Sequence, residues 1–132
     1  EWSGKAAGGS SGKECLQINV KDNSAFGSFV QIPAVDGTIE KIEVTIREPY
    51  KGRAIGIFPV GYTYTKDTLD KMKEQLAKDA IAISNETPSD VNNNEPFTFV
   101  IDNLSAKNLT QFSIFPTLGA VSITAITVTY SK

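Results

Sequence analysis

The chain contains no histidine. That removes the commonest general base, the Ser-His-Asp triad and histidine-ligated zinc. Its one cysteine, Cys15, cannot form an internal disulfide. With no histidine to activate it, Cys15 reads as a small half-buried side chain rather than a nucleophile. No apolar run approaches the roughly 20 residues of a membrane-spanning helix, so membrane insertion is not expected. Excess charge of one sign is also missing: 13 basic and 15 acidic residues leave a net charge of −2. Nucleic acid as a main partner calls for a concentrated basic surface, which argues against that class. No signal-peptide pattern is visible.

What the chain does have is length and β-branched alternation. Its 132 residues, 40% hydrophobic and 21% charged, suit one domain with a real core. The octet Ile39-Glu-Lys-Ile-Glu-Val-Thr-Ile46 recurs as Ile123-Thr-Ala-Ile-Thr-Val-Thr-Tyr130, with five of eight positions alike. Both copies alternate apolar and polar from their fourth residue, as a strand with one buried face does. In both, the first isoleucine stands three before the next apolar residue, out of step with the alternation. That shared offset predicts a bulge or a switch of face at the same point of each strand. The segments between the copies do not repeat, so two strands facing one core explain the likeness better than duplication.

Strand patterns fall at 14–20, 26–33, 38–48, 53–60, 96–102, 110–116 and 120–130. Turn chemistry separates them at Lys21–Ser24, Asp36-Gly37, Pro49–Gly52 and Asp102-Asn103. Residues 4–13 are small and loop-like. One stretch departs from period two. Leu69, Met72, Leu76, Ala80 and Ile83 recur in steps of three and four, which predicts a helix over about 66–82. Thr65 or Thr68 would cap it, and its charges read as a solvated outer face. The polar stretch 84–95 follows as an exposed loop. The expected fold is therefore all-β: a jelly-roll-like antiparallel β-sandwich of about seven or eight strands with one inserted helix.

Enzyme chemistry finds little support. Asp22, Asp36, Glu40, Glu43, Glu48, Asp90, Glu95 and Asp102 are available for a two-carboxylate hydrolase, but none sits in a motif that implies a cleft. Asp22-Asn23 and the stretch from Asp90 to Glu95 offer oxygen ligands, yet no EF-hand spacing occurs, so structural calcium is not favoured and no cofactor is expected. The glycine-rich residues 8–12 do not complete a phosphate-loop motif.

The aromatic residues are more informative. Most of the seven phenylalanines lie in strand patterns and read as core. Trp2, Tyr50, Tyr62 and Tyr64 fall in or beside loops, and Arg53 follows Tyr50 closely. Flat rings beside polar groups can stack on the apolar face of a sugar while the polar groups fix its orientation. Trp2, Tyr50, Arg53, Tyr62 and Tyr64 are accordingly the candidate ligand-binding residues. The same tyrosines would equally serve to cover sandwich edges or pack beneath the helix, and Trp2 would serve as a terminal anchor.

Gly12-Lys-Glu-Cys-Leu-Gln-Ile-Asn-Val20 and Phe26-Gly-Ser-Phe-Val-Gln-Ile32 resemble the opening of galactose-binding-like jelly-roll modules. Val121-Ser-Ile-Thr-Ala-Ile-Thr-Val-Thr-Tyr130 resembles the last strand of secreted β-sandwich domains of gut Bacteroidetes. The resemblance covers the two ends of the chain, and the middle, helix included, departs from it. It implies a single sandwich domain over 1–132, one module of a larger exported protein. Such a module would be a non-catalytic carbohydrate-binding unit, monomeric, secreted or at the cell surface, with its signal segment outside this chain. A structural or adhesive domain, pilin-like or stalk-like, is the alternative.

Overall fold

The computed structural model describes residues 3–5, 16–18, 29–63, 65 and 68–132. In chain order its elements are β1 (Ser3–Lys5), β2 (Leu16–Ile18), β3 (Phe29–Gln31), β4 (Thr38–Arg47) and β5 (Ile55–Phe58). Then come α1 (Leu69–Asp79), β6 (Ala82–Ile83), β7 (Phe97–Ile101), a 3₁₀ turn at Ser105–Lys107, β8 (Ser113–Pro116) and β9 (Val121–Ser131). Two antiparallel sheets result, ordered β1-β3-β8-β5-β6 and β2-β9-β4-β7. The described residues form an all-β sandwich with one α-helix, as the alternation predicts.

Each strand stretch expected from the sequence contains one strand. Two short strands carry no such signal. β1 lies partly in the segment read as loop, and it pairs with β3 through Ser3↔Gln31 and Lys5↔Phe29. Three residues, Ser3-Gly4-Lys5, with no apolar side chain offer no period-two pattern, so only backbone pairing reveals them. β6 takes the end of the stretch read as helix. Helix α1 starts after Thr68, whose Oγ1 accepts from the Lys71 amide, and it stops at Ala80, which turns extended. The Ile81 amide then donates to Ile57 O, and the chain joins β5 as β6. Ile83, counted from its spacing on the helical face, is instead an exposed strand residue.

The two sheets enclose one apolar cluster. Ile42, Val44, Ile46, Phe99 and Ile123 from one sheet meet Val30, Ile55, Ile57 and Ile114 from the other. Burying each such side chain contributes about 1.5–3 kcal/mol. β5 and β8 are buried at every position, unlike the alternating β4. Their second face explains this. Phe58 and Phe115 point away from the sandwich and pack under Met72 and Leu76 of α1, with Phe29, Tyr62 and Ala80 around them. Gly56 lies on that face too, where a Cβ would come within 3.4 Å of the Ala80 Cβ. The helix thus closes a second, smaller core on the outer face of the five-stranded sheet.

β4 and β9 form the backbone of the other sheet. The two octets pair with each other, Ile42 opposite Val128 and Val44 opposite Ile126. The register slips between Ile39 and Lys41 on β4, and between Ile123 and Ala125 on β9. The expected bulge is present in both copies. Tyr130, grouped with the inward residues by alternation, is exposed at the strand end beside Gly37.

Candidate functional site at one end of the sandwich

Three loops meet at the end of the sandwich where β4 finishes and β5, β7 and β9 begin. They span 48–54, 84–96 and 117–120. Thr87 ties the first two together. Its Oγ1 donates to the Tyr50 carbonyl at 2.6 Å and accepts from the Arg53 amide at 2.8 Å, and its own amide donates to Arg53 O at 2.9 Å. Thr87 is buried, so this hydroxyl replaces the solvent those backbone groups have lost. Gly52, with φ of 68°, takes the left-handed turn that the loop needs between Tyr50 and Arg53.

Arg53 links the third loop. Its Nε donates to Ala120 O at 3.1 Å, and a Cβ on Gly119 would lie 2.9 Å from the guanidinium. The guanidinium also stands over the Tyr50 ring, 5.9 Å from its centroid, within cation–π range. Tyr50 itself remains 58% exposed. The result is an aromatic face held from behind and open in front.

Beside it is a polar cleft of about 240 Å³, lined by Arg47, Glu48, Asn93, Asn94, Glu95 and Pro96. Arg47 is the last residue of β4, and its side chain is only 14% exposed. Adjacent strand residues ordinarily point to opposite faces. Glu48 breaks that rule with a φ of 48°, which non-glycine residues seldom adopt, and brings Oε1 to 3.0 Å from Arg47 Nη2. The facing wall is built by local turns. Asn92 Oδ1 accepts from the Asn94 amide at 2.9 Å, and the Glu95 amide donates to Asn92 O at 3.1 Å. Pairing of Ile46 with Phe97 brings this loop against Arg47.

Of the candidate residues named from the sequence, Tyr50 and Arg53 therefore stand together. Tyr62 does not join them. It follows the opposite end of β5, where its ring stacks on Phe58 at 4.6 Å and meets Phe115 edge-on at 5.5 Å. Its hydroxyl donates to Asp79 Oδ2 at 2.8 Å. This is the packing role beneath the helix. Trp2 and Tyr64 lie outside the described residues, as do Cys15, Asp22 and Asn23.

Arg47 was not singled out by sequence, Asn93 and Asn94 entered only within the 90–95 stretch of possible oxygen ligands, and Glu48 and Glu95 were also named as acidic residues without a cleft. The signal was faint: a strand ending in Arg-Glu-Pro and a run of three asparagines. Nothing local connects them, because β4–β7 pairing supplies the proximity. Among the described residues no group of three or more His, Cys, Asp or Glu could hold a metal ion. No described helix is long and apolar enough to cross a membrane. Compared with protein-family models, curated proteins and solved structures, the chain finds no match.

Proposed function

We propose that the chain is a non-catalytic carbohydrate-binding module of an exported or cell-surface protein, with its ligand site at the Tyr50 end of a jelly-roll-like sandwich. Strand order supports the jelly-roll description. β2-β9-β4-β7 faces β3-β8-β5-β6, with β1 added at the β3 edge, so that the chain crosses between sheets at most steps, as double-sheet jelly rolls do.

Tyr50 is the observation that carries the binding role. An exposed ring gains nothing from core burial, yet Arg53 and Thr87 hold its backbone and flank in place. A fixed flat ring stacks on the apolar face of a pyranose at little cost in conformational entropy. The adjoining cleft supplies donors and acceptors for hydroxyl groups. Neither role requires a reacting group. Origin from an exported protein rests on the resemblance of the two chain ends to secreted modules.

A glycan array probed with the purified chain, followed by calorimetric titration of the hits, tests this. Tyr50→Ala should weaken binding about tenfold, the loss of one stacked ring worth roughly 1.5 kcal/mol, with an unchanged melting temperature. Undiminished binding by Tyr50→Ala would remove the proposed site. Silence across plant, host and microbial glycans would favour the structural or adhesive alternative.

A further inference from the structure

We infer that the Arg47 cleft receives a single uncharged sugar residue and selects against uronate, sulfated and cationic ones. This deepens the carbohydrate-binding proposal and rests on it. The cleft walls contain three kinds of polar group. The Arg47 guanidinium only donates hydrogen bonds, the Glu48 and Glu95 carboxylates only accept them, and the Asn93 and Asn94 carboxamides do both.

Each kind of ligand meets these walls differently. An anionic group that reached Arg47 would enter against two carboxylates, one of them already 3.0 Å from Nη2. A cationic group that reached the carboxylates would meet a guanidinium that is itself largely buried. A hydroxyl carries one donor and two acceptor lone pairs, so neighbouring hydroxyls of one ring can serve guanidinium, carboxylate and carboxamide together without adding charge.

Size narrows the ligand further. At about 240 Å³ the cleft is smaller than the roughly 300–1,000 Å³ of typical small-molecule sites. It suits one ring, with the neighbouring residue of the glycan lying toward Tyr50. Tyr50 is two residues from Glu48, so the two features lie within about 8 Å along the backbone.

The test is a glycan array that holds neutral glycans beside uronate-containing and sulfated ones, read with the wild-type chain and with the double variant Asn93→Ala, Asn94→Ala. Both asparagines are exposed, and the Asn92 turn that shapes their backbone is retained, so the variant should melt like the wild type. Hits should be neutral glycans, weakened at least about tenfold in the double variant, with affinity changing less than about twofold between low and high salt. Hits confined to acidic or cationic glycans would overturn the inference and leave carbohydrate binding standing. Neutral hits that depend on Tyr50 but are untouched by the double variant would do the same. An array without hits would overturn both proposals together.

Discussion

Glu40 and Thr124 are the extra residues of two β-bulges, and they occupy the same position in the two octets of like sequence. On β4, Ile39 and Lys41 oppose consecutive residues Tyr130 and Thr129, which leaves Glu40 over. On β9, Ile123 and Ala125 oppose consecutive residues Ile46 and Thr45, which leaves Thr124 over. The octets therefore pair about a local two-fold centred on Glu43 and Thr127, which face each other. Each bulge is also tied down. The Leu104 amide donates to Glu40 O at 3.0 Å, and Thr124 Oγ1 donates to Thr45 O at 3.2 Å.

Deletions should report this arrangement. Removing Thr124 would bring Ile123 next to Ala125 and restore regular alternation, with Ile123 still facing the core. That variant should fold and melt cooperatively, at a cost of about 1 kcal/mol for the lost hydroxyl contact. Removing Thr127 would turn the residues on one side of the gap to the opposite face. It should abolish cooperative melting by circular dichroism. Equal behaviour of the two deletions would contradict the bulge assignment.

Thr87→Val keeps the shape of the side chain and deletes the hydroxyl that joins the Tyr50 carbonyl to the Arg53 amide. Two backbone groups at a buried position lose their partner, so urea denaturation should show a loss of about 1–3 kcal/mol. Any glycan bound at Tyr50 should weaken as well, because the loop that presents the ring loses its tie.

Tyr50 and Tyr62 should separate cleanly. Tyr62→Ala removes a ring packed on Phe58 and Phe115 and should lower stability by about 2–4 kcal/mol, with glycan titrations unchanged for the folded fraction. Tyr50→Ala should do the reverse. A Tyr62 variant that loses binding at unchanged stability would place the ligand at the helix end.

Gly37 lies where β4 begins, opposite the end of β9. A Cβ there would fall inside the contact distance of the Ser131 backbone and touch the Tyr130 ring. Backbone cannot yield as a side chain does, so Gly37→Ala should cost about 1–3 kcal/mol in thermal melts. Gly52→Ala makes a useful comparison, since nothing stands within 4 Å and only its positive φ is strained.

Leu76→Ala probes the second core. Leu76 is fully buried between α1 and the sheet, so the change should cost about 2–5 kcal/mol and weaken helix packing in hydrogen exchange before the sandwich opens.

Much of the fold was legible because period-two alternation is local. Val44 and Phe99 declare their faces through their immediate neighbours. The helix was legible from Met72 and Leu76, and its ends were blurred because Leu69 and Ile83 extend the spacing without being buried. The candidate site was legible only in part. Tyr50 and Arg53 are near in sequence and near in space, whereas Arg47 and Asn93 lie far apart along the chain.

By itself, the sequence determined every described strand but β1 and β6, the inserted helix and the offset that marks each bulge, all properties of neighbouring residues. Tertiary structure alone decided that the two octets pair with each other, that Tyr62 belongs beneath the helix, and that Arg47 faces an asparagine loop. Those outcomes depend on which strands become neighbours, and pairing between distant segments is set by the summed burial of both sheets rather than by any one stretch of residues.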